Sequence, residues 1–496
     1  MEALVGSPEV AGRVAEIEAA LPIGVRPRQL SARTWLLGLL LSQADGRPAH
    51  LTRAHEALLG LPEADRPRLG VLACWRAGPH TLTYRQVEHT NRLICSVLAK
   101  AEPDGAPSGL AQGLSDAILE ATVPAWAPEL SASLALDWTD LESFARPPVP
   151  GARESADKEA SWGHRSGGGP GQKTELFFGY YLSAATMVGE EDGPAVPELV
   201  RRATLANPKA DPVPALVGVL ERFVATGKRL GDVIADSGYA HRVARNWALR
   251  LRRLGASLVQ DLHPDDRGPQ GTHEGAICCN GNLYCPVVPE ALLRLGPLGR
   301  DASTEEAAAH DKKMAELAHY KLGRVSADDE DGYHRVGCPA AMGKLRCPLR
   351  PASMALGHDR PSVLSPPEHP PACCTQRTIT VPPQVNEKTR QKHDYPGPAW
   401  RRSYARRTAA ERSNATIKDP ASNDISRGWC RLMGLAPLFV FVSCCLAARN
   451  LRVLDAFEAR AAEDERRKAA GLPSKRRRRR RKTLGDLVGS APGAPP

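Results

Sequence analysis

Apolar positions recur along this chain with two different periods, and the change of period divides it. Over residues 1 to about 125 the spacing is near 3.6. "SARTWLLGLLLSQA" (31–44) and "TYRQVEHTNRLICSVLAK" (83–100) each gather apolar side chains on one side of a helix, with Pro- and Gly-rich joints between them. This predicts a helical N-terminal domain over 1–125. It either carries a helix-turn-helix for DNA or is a structural bundle alone, because nothing in it specifies a groove or a base.

The texture changes at "SASLALDWTD", a short apolar run that predicts a strand with Asp137 at its end. "LFFGYYLSAATMV" (176–188) and "ELVRRATL" (198–205) predict further strands. "PVPALVGVLERFVATG" predicts a helix starting near Pro212 or Pro214, and "DVIADSGY" (232–239) a buried strand ending on Asp236. "AHRVARNWALRLRRLG" reads as a basic amphipathic helix. "SWGHRSGGGPGQK" reads as a flexible loop whose Trp162, His164, Arg165 and Lys173 either contact DNA or lie on an ordinary surface. Strands that carry acids, interleaved with helices, predict a mixed α/β core over 130–261, with catalytic groups at strand ends. Residues 262–395 are rich in Cys, Pro and polar side chains and close on the strand-like "RTITVPP". They read as an insertion between that core and its last helices at 396–457.

One stretch, "LMGLAPLFVFVSCCLAA" (432–448), is apolar enough to resemble a membrane span. It is short for one, contains Pro437 and is bracketed by Arg431 and Arg449, so a buried core helix is the expectation and no membrane partner is expected.

Charge adds a tail to this picture. Lys and Arg number 66 against 56 acids, a net of +10, and the run 475–482 supplies eight of those positive charges. Such a run cannot bury itself, which predicts a basic, disordered tail over 458–496 that binds phosphates or serves solubility. The N-terminus has early acids and no basic start followed by an apolar stretch, so a cytoplasmic location is expected. Twelve Cys are then thiols or metal ligands rather than disulfides. Cys278, Cys279, Cys285, Cys338, Cys347, Cys373 and Cys374 fall in three clusters of the insertion. Cys279, Cys285, Cys338 and Cys347 are the candidate Zn2+ ligands, against a reading as buried or free thiols.

The most specific signal is "YARRTAAERSNATIK" (404–418). No Gly or Pro interrupts it from Arg401 to Asp419, which predicts one helix. At about 100° per residue, Tyr404, Arg407, Glu411 and Lys418 share an arc of roughly 60°. A phenol, a guanidinium, a carboxylate and an ammonium on one face can complete a metal site and grip neighbouring phosphates.

The pattern Tyr-x2-Arg-x3-Glu-x6-Lys resembles the Tyr-Arg-Glu-Lys signature of bacterial insertion-sequence transposases of the DDE class. "LALDWTD" and "VIADSGY" resemble that family's two Asp motifs, so the resemblance spans about 130–455. It implies an RNase H-like catalytic core. It also implies Asp137, Asp236 and Glu411 as a catalytic triad binding two Mg2+ (or Mn2+) ions, with Tyr404, Arg407 and Lys418 on DNA. Asp140 and Glu142 compete with Asp137 for the first position, and Asp232 with Asp236 for the second. The implied activity is metal-dependent cleavage at transposon ends followed by strand transfer to target DNA. The partners would be double-stranded DNA and further copies of the chain on it, at the bacterial nucleoid when bound. The alternatives are an inactive domesticated copy that only binds DNA, or a host nuclease of the same fold.

Overall fold

A computed structural model of the chain describes residues 1–23, 30–71, 82–99, 106–165, 174–299, 301–420, 422 and 424–473. Residues 1–451 form one compact unit and 452–496 a second.

The N-terminal region is helical: α1 (Glu2–Val5), α2 (Pro8–Ala20), α3 (Ala32–Ala44), α4 (Leu51–Leu59), α5 (Tyr84–Leu98), α6 (Gly109–Glu120) and α7 (Ala127–Leu130). The starts follow local chemistry. Ser31 accepts from the Thr34 amide at 3.1 Å to cap α3, and Thr83 with Gln86 forms a capping box on α5. Helix α3 is buried on nearly every face, because these helices share one core with the sheet and with the last long helix.

The central sheet is mixed. Its strands are β1 (Leu134–Glu142), β2 (Ser161–Arg165), β3 (Glu175–Met187), β4 (Val200–Ala206), β5 (Asp232–Ala235) and β6 (Ser257–Gln260). The order runs β2-β3-β1-β5-β6, with β4 also on β3. β1, β2 and β4 pair with β3 antiparallel, whereas β1, β5 and β6 run parallel. The long β3 accepts β2 along its first half and β4 along its second. Helices α8 (Pro212–Ala225), α9 (Ser237–Ala240) and α10 (Ala248–Arg253) follow their strands, and Val213, Leu216, Val217 and Leu220 of α8 pack on Leu134, Leu136 and Val233. The fold is therefore mixed α/β, with a mixed sheet and flanking helices.

Several elements differ from the sequence reading. β1 does not stop at Asp137, because antiparallel pairing with β3 continues to Glu142 after the parallel partner β5 has ended at Ala235. Trp162, His164 and Arg165 lie on β2, not in a loop, and Lys173 lies outside the described residues. The basic helix after Asp236 is broken at Trp247, whose backbone is non-helical (φ −134°, ψ −84°). Its indole is fully buried, donates to Gln260 Oε1 at 2.8 Å and lies 5.1 Å from the Tyr239 ring, so side-chain burial overrides helix continuity.

Residues 262–395 build two small antiparallel sheets. β7 (Pro269–His273), β8 (Ala276–Cys279) and β9 (Asn282–Tyr284) form one; β10 (Gly323–Arg324), β11 (His334–Gly337) and β12 (Thr378–Val381) form the other. Helices α11 (Glu290–Leu293), α12 (Thr304–Tyr320) and α13 (Ala372–Thr375) lie among them. The segment then returns to the core, where the Lys392 amide donates to Leu258 O at 2.9 Å and Gln260 contacts Lys388 and Gln391.

The chain closes with α14 (Pro398–Tyr404), α15 (Thr408–Ile417) and α16 (Leu435–Ala469). The helix predicted from Arg401 onward is thus not uniform: a 3-10 turn over Ala405–Arg407 separates its two parts. α16 contains the apolar stretch and is long and apolar enough to cross a membrane, but it is buried from Leu435 to Asn450 inside the protein. Pro437 stands in its first turn, where a missing N–H costs nothing. The Asn450 amide serves both the N–H and the carbonyl of Val200, each at 2.8 Å, at the outer edge of β4. In the second unit α16 continues to Ala469, past the point where the tail was expected to begin, and residues 475–482 lie outside the described residues.

Candidate active site

Strand register sets the first two acids side by side. Leu134 pairs with Val233 and Ala135 with Ile234 across the parallel β1–β5 ladder. Continued by two residues, that register brings Asp137 on β1 level with Asp236, which directly follows β5 as the N-cap of α9. Ala135 and Ile234, two residues earlier on each strand, belong to the buried cluster with Ala409 and Ala410 of α15, so the same face of the sheet looks at that helix.

Asp236 is held by its own backbone. Its Oδ1 accepts from the amides of Gly238 at 3.0 Å and Tyr239 at 3.4 Å, leaving Oδ2 free to turn outward. Gly238 is required here by contact, since a Cβ would stand 2.6 Å from the Trp138 ring. That ring in turn lies 4.4 Å from Tyr239, which makes an aromatic floor beneath the acids.

Arg407 joins the three acids. One terminal nitrogen lies 3.4 Å from Asp137 Oδ1 and 3.2 Å from Asp236 Oδ2, and the other lies 2.5 Å from Glu411 Oε1. Glu411 is 43% exposed, while Arg407 and Asp137 are only 14% and 16% exposed, so the cluster opens to solvent on the α15 side. Burial pushes the Asp137 carboxyl up to about 6; Arg407 opposes this and Asp236 adds to it. Burial also works against the charge on Arg407, but Tyr404 and the three carboxylates outweigh it and hold the guanidinium above its ordinary range. Three carboxylates against one guanidinium leave a formal excess of two negative charges when all are ionised. A cluster of that charge, open on one side, suits a divalent cation.

Asn414 was not singled out by sequence. Its Nδ2 donates to Asp137 Oδ2 at 3.0 Å. The available signal was its place three residues after Glu411 and seven after Arg407, close to the same helical stripe.

The other predicted residues take different places. Lys418 pairs with Asp140 at 3.1 Å rather than with the triad. Arg165 pairs with Asp140 at 3.3 Å and Glu142 at 2.7 Å, which occupies both rivals of Asp137. These residues, with Ser426 and Arg427, line a cleft of about 250 Å3. The exposed Trp162 borders the adjoining hollow, which Arg165 and Arg427 also line. Asp232, the rival of Asp236, is buried against Lys392 at 2.8 Å and Arg406 at 2.6 Å. Tyr404 stacks on Trp400 with ring centroids 4.8 Å apart, and burial first of all raises its phenol pKa.

Among the described residues, His241, His263 and Asp266 also bring potential ligand atoms within 4.8 Å of one another. Asp266 there is engaged by Lys388 at 2.7 Å, and the two imidazoles are stacked with centroids 3.9 Å apart. His263 and Asp266 share one 3-10 turn and His241 stands at the end of α9, so only the fold brings the third group to the other two. Searches of protein-family models, curated proteins and solved structures find no match to this chain.

Proposed function

We propose that this chain is a DDE transposase that cuts DNA at transposon ends and joins the freed 3′ ends to target DNA. One observation carries the reading: acids from three segments far apart in sequence, Asp137, Asp236 and Glu411, converge on a single guanidinium. The topology supports an RNase H-like core. Three antiparallel strands, β4-β3-β1, continue into the parallel pair β5-β6, with acids where the parallel pairing runs out.

Asp137, Asp236 and Glu411 would hold a pair of Mg2+ or Mn2+ ions, which when bound supply an activated water and charge stabilisation at the departing 3′ oxygen. Asn414 fixes the direction of the Asp137 carboxylate. Trp400 holds the Tyr404 ring by stacking. Arg407, once released from the acids, is a phosphate clamp. Arg165, Lys418 and Arg427 give the neighbouring cleft the cations a DNA backbone needs, with Trp162 as an exposed stacking surface.

The test uses the DNA that flanks the gene. A plasmid carrying those flanks, incubated with purified protein and Mg2+ or Mn2+, should be nicked at their outer boundaries and yield strand-transfer products, both abolished by EDTA. Nicking without end preference would make the chain a nuclease instead. End binding without nicking in either ion would make it a DNA-binding protein.

Two further outcomes follow from the same reading. Arg407→Ala leaves three acids facing one another without a cation. The metal-free variant should lose about 1–3 kcal/mol of stability, less than a fully buried pair would cost because Glu411 is partly exposed. Mg2+ should restore more stability to the variant than it adds to the wild type, as read by thermal melts with and without the ion; equal responses would refute a shared place for guanidinium and metal. Truncation after Ser474 removes eight positive charges. Each phosphate neutralised contributes about 0.9 to the salt slope of affinity, so truncation should flatten that slope by several units. Binding to random and end-specific DNA should weaken alike, in salt titrations of both. Selective loss of end binding would place the tail in the recognition surface.

A further inference from the structure

The insertion buries its cysteines as free thiols, Cys279, Cys285, Cys338 and Cys347 among them, and gathers charge instead in a cleft of about 260 Å3 bordered by both of its sheets. Side chains of β11 alternate across their sheet, so His334 and Val336 line the cleft while Arg335 between them is exposed. Across the ladders His334 pairs with Val381 and Val336 with Arg324, and both of these partners line the cleft as well. The segment that returns to the core completes it. Asn386 turns the chain at φ 56°, its carbonyl accepting from the Arg390 amide at 2.8 Å and its side chain donating to Asn282 O at 3.0 Å. That turn sets Arg390, Gln391 and Lys392 along the cleft.

Cations outnumber acids there. Lys321, Arg324, Arg390 and Lys392 line the cleft against one carboxylate, Asp394. Lys321 pairs with Asp394, and Lys392 is taken by Asp232 at 2.8 Å and Glu191 at 2.9 Å. Arg324 and Arg390 are left with a single oxygen, Asp328 Oδ1, at 2.8 Å and 3.7 Å, and His334 Nδ1 lies 3.2 Å from the same atom. At 3.7 Å, Arg390 Nη1 is beyond hydrogen-bond reach of it. That nitrogen and Gln391 Nε2 are both buried, and neither has an acceptor. Two unmet buried donors on one cleft call for an acceptor between them. Neighbouring groups register the same surplus of positive charge. Burial lowers the His334 pKa, and Arg324 and Arg390 lower it further against the pull of Asp328. Burial and then Arg390 bring Arg252, which donates to the Glu387 and Arg390 carbonyls, down to about 10. Burial and then Lys321 lower Lys344.

We propose that this cleft binds a phosphate group, as free phosphate or as a small phosphate monoester, held by Arg324, Arg390 and Gln391. A tetrahedral oxyanion offers acceptors in several directions at once, which suits a guanidinium and an amide that come from neighbouring residues, and its charge offsets the surplus of cations. The volume is below the roughly 300–1,000 Å3 of sites for drug-sized ligands, so the occupant is a small anion and not a strand of nucleic acid. Bound there, the anion ties β10 and β11 to the segment that leads on to α14 and the helix of Glu411. The site does not depend on the chain being a transposase, since its test contains neither DNA nor a divalent ion.

The full chain, in EDTA and at fixed ionic strength, is titrated calorimetrically with inorganic phosphate and separately with adenosine 5′-monophosphate. Saturable binding of at least one is expected, with a rise in melting temperature that chloride does not reproduce. Tighter binding of phosphate identifies the free ion as the ligand, and tighter binding of the monophosphate identifies an ester. Arg390→Gln should weaken binding about tenfold or more, the loss of a charge-assisted hydrogen bond, while Arg335→Gln stays within about twofold. Gln391→Glu is the variant that guards against misfolding. It keeps the oxygen that accepts from the Gln260 amide at 2.9 Å, removes the unmet donor and adds the missing negative charge. Gln391→Glu should therefore abolish phosphate binding and raise the melting temperature of the unliganded protein. Folded wild type that binds neither anion would overturn the proposal, whether or not it binds duplex DNA. So would undiminished affinity in Gln391→Glu. Loss of binding in Lys418→Ala with retention in Gln391→Glu would place the anion in the cleft beside Glu142 and equally exclude this site.

Discussion

Replacing Asp137, Asp236 or Glu411 singly with Ala should cut metal-dependent nicking by about a thousandfold or more, some 4 kcal/mol of transition-state stabilisation. DNA binding should stay within severalfold, because these acids face a cation and not the phosphates. Removing one lowers repulsion toward DNA, so a slight gain in affinity is the more natural direction. Asp140→Ala and Glu142→Ala are the controls. Their partners are Lys418 and Arg165, so they should alter the salt dependence of binding while cleavage persists. A labelled end in a nicking assay and a mobility shift measures both quantities. Full cleavage by any triad variant would remove that residue from the site.

Glu120→Ala should destabilise the protein by about 3–5 kcal/mol, the cost of orphaning a buried charge. Glu120 ends α6 and binds Arg201 at 3.0 Å, Arg202 at 2.8 Å and Lys228 at 2.9 Å. The two arginine side chains are only 3% and 5% exposed and lie over the Phe223 ring, so without Glu120 they repel each other in an apolar setting. Burial would raise the Glu120 carboxyl, but Arg201 and Arg202 overrule it and hold the group at about 2, against an ordinary 4.5. A depressed acid contributes its full stability above the unfolded value and loses it as pH falls toward the folded one. The gap between wild type and variant in urea unfolding should therefore be largest above about pH 4.5 and shrink toward pH 2. A gap below about 1 kcal/mol at pH 7 would show that water reaches the arginines and screens them.

The helix of the third acid was legible because one element carries all its residues, and 3.6-residue geometry is the same in any context. That geometry gathers Arg407 and Glu411, although the 3-10 turn at 405–407 separates Tyr404 from them and its ring goes to Trp400 instead. Asp137 and Asp236 could be proposed from strand-like flanks, but their alignment depends on ladder register, which no local pattern encodes. The same limit explains Arg165: its Gly-rich continuation suggested a loop, and only β3 as a partner makes that segment a strand. Lys418 lay on the predicted arc, yet its ammonium goes to Asp140 at 3.1 Å, a residue of β1 that no pattern local to the helix brings near it.

The buried stretch of α16 ties the end of the chain to its beginning. The Cys445 thiol donates to Gln43 Oε1 at 2.9 Å, 402 residues away. At a synthesis rate of about 5–20 residues per second, the ribosome needs roughly 20–80 s to make the partner that α3 packs against. For that interval α4 and α5 already pack on α3, but the part of its apolar surface that meets α16 has nothing of its own chain to cover it. A nascent chain of this protein should therefore be a long-lived client of holdase chaperones. Premature termination anywhere before Leu435 leaves the N-terminal helices without their core, and such fragments belong to proteolysis rather than to a partly folded pool.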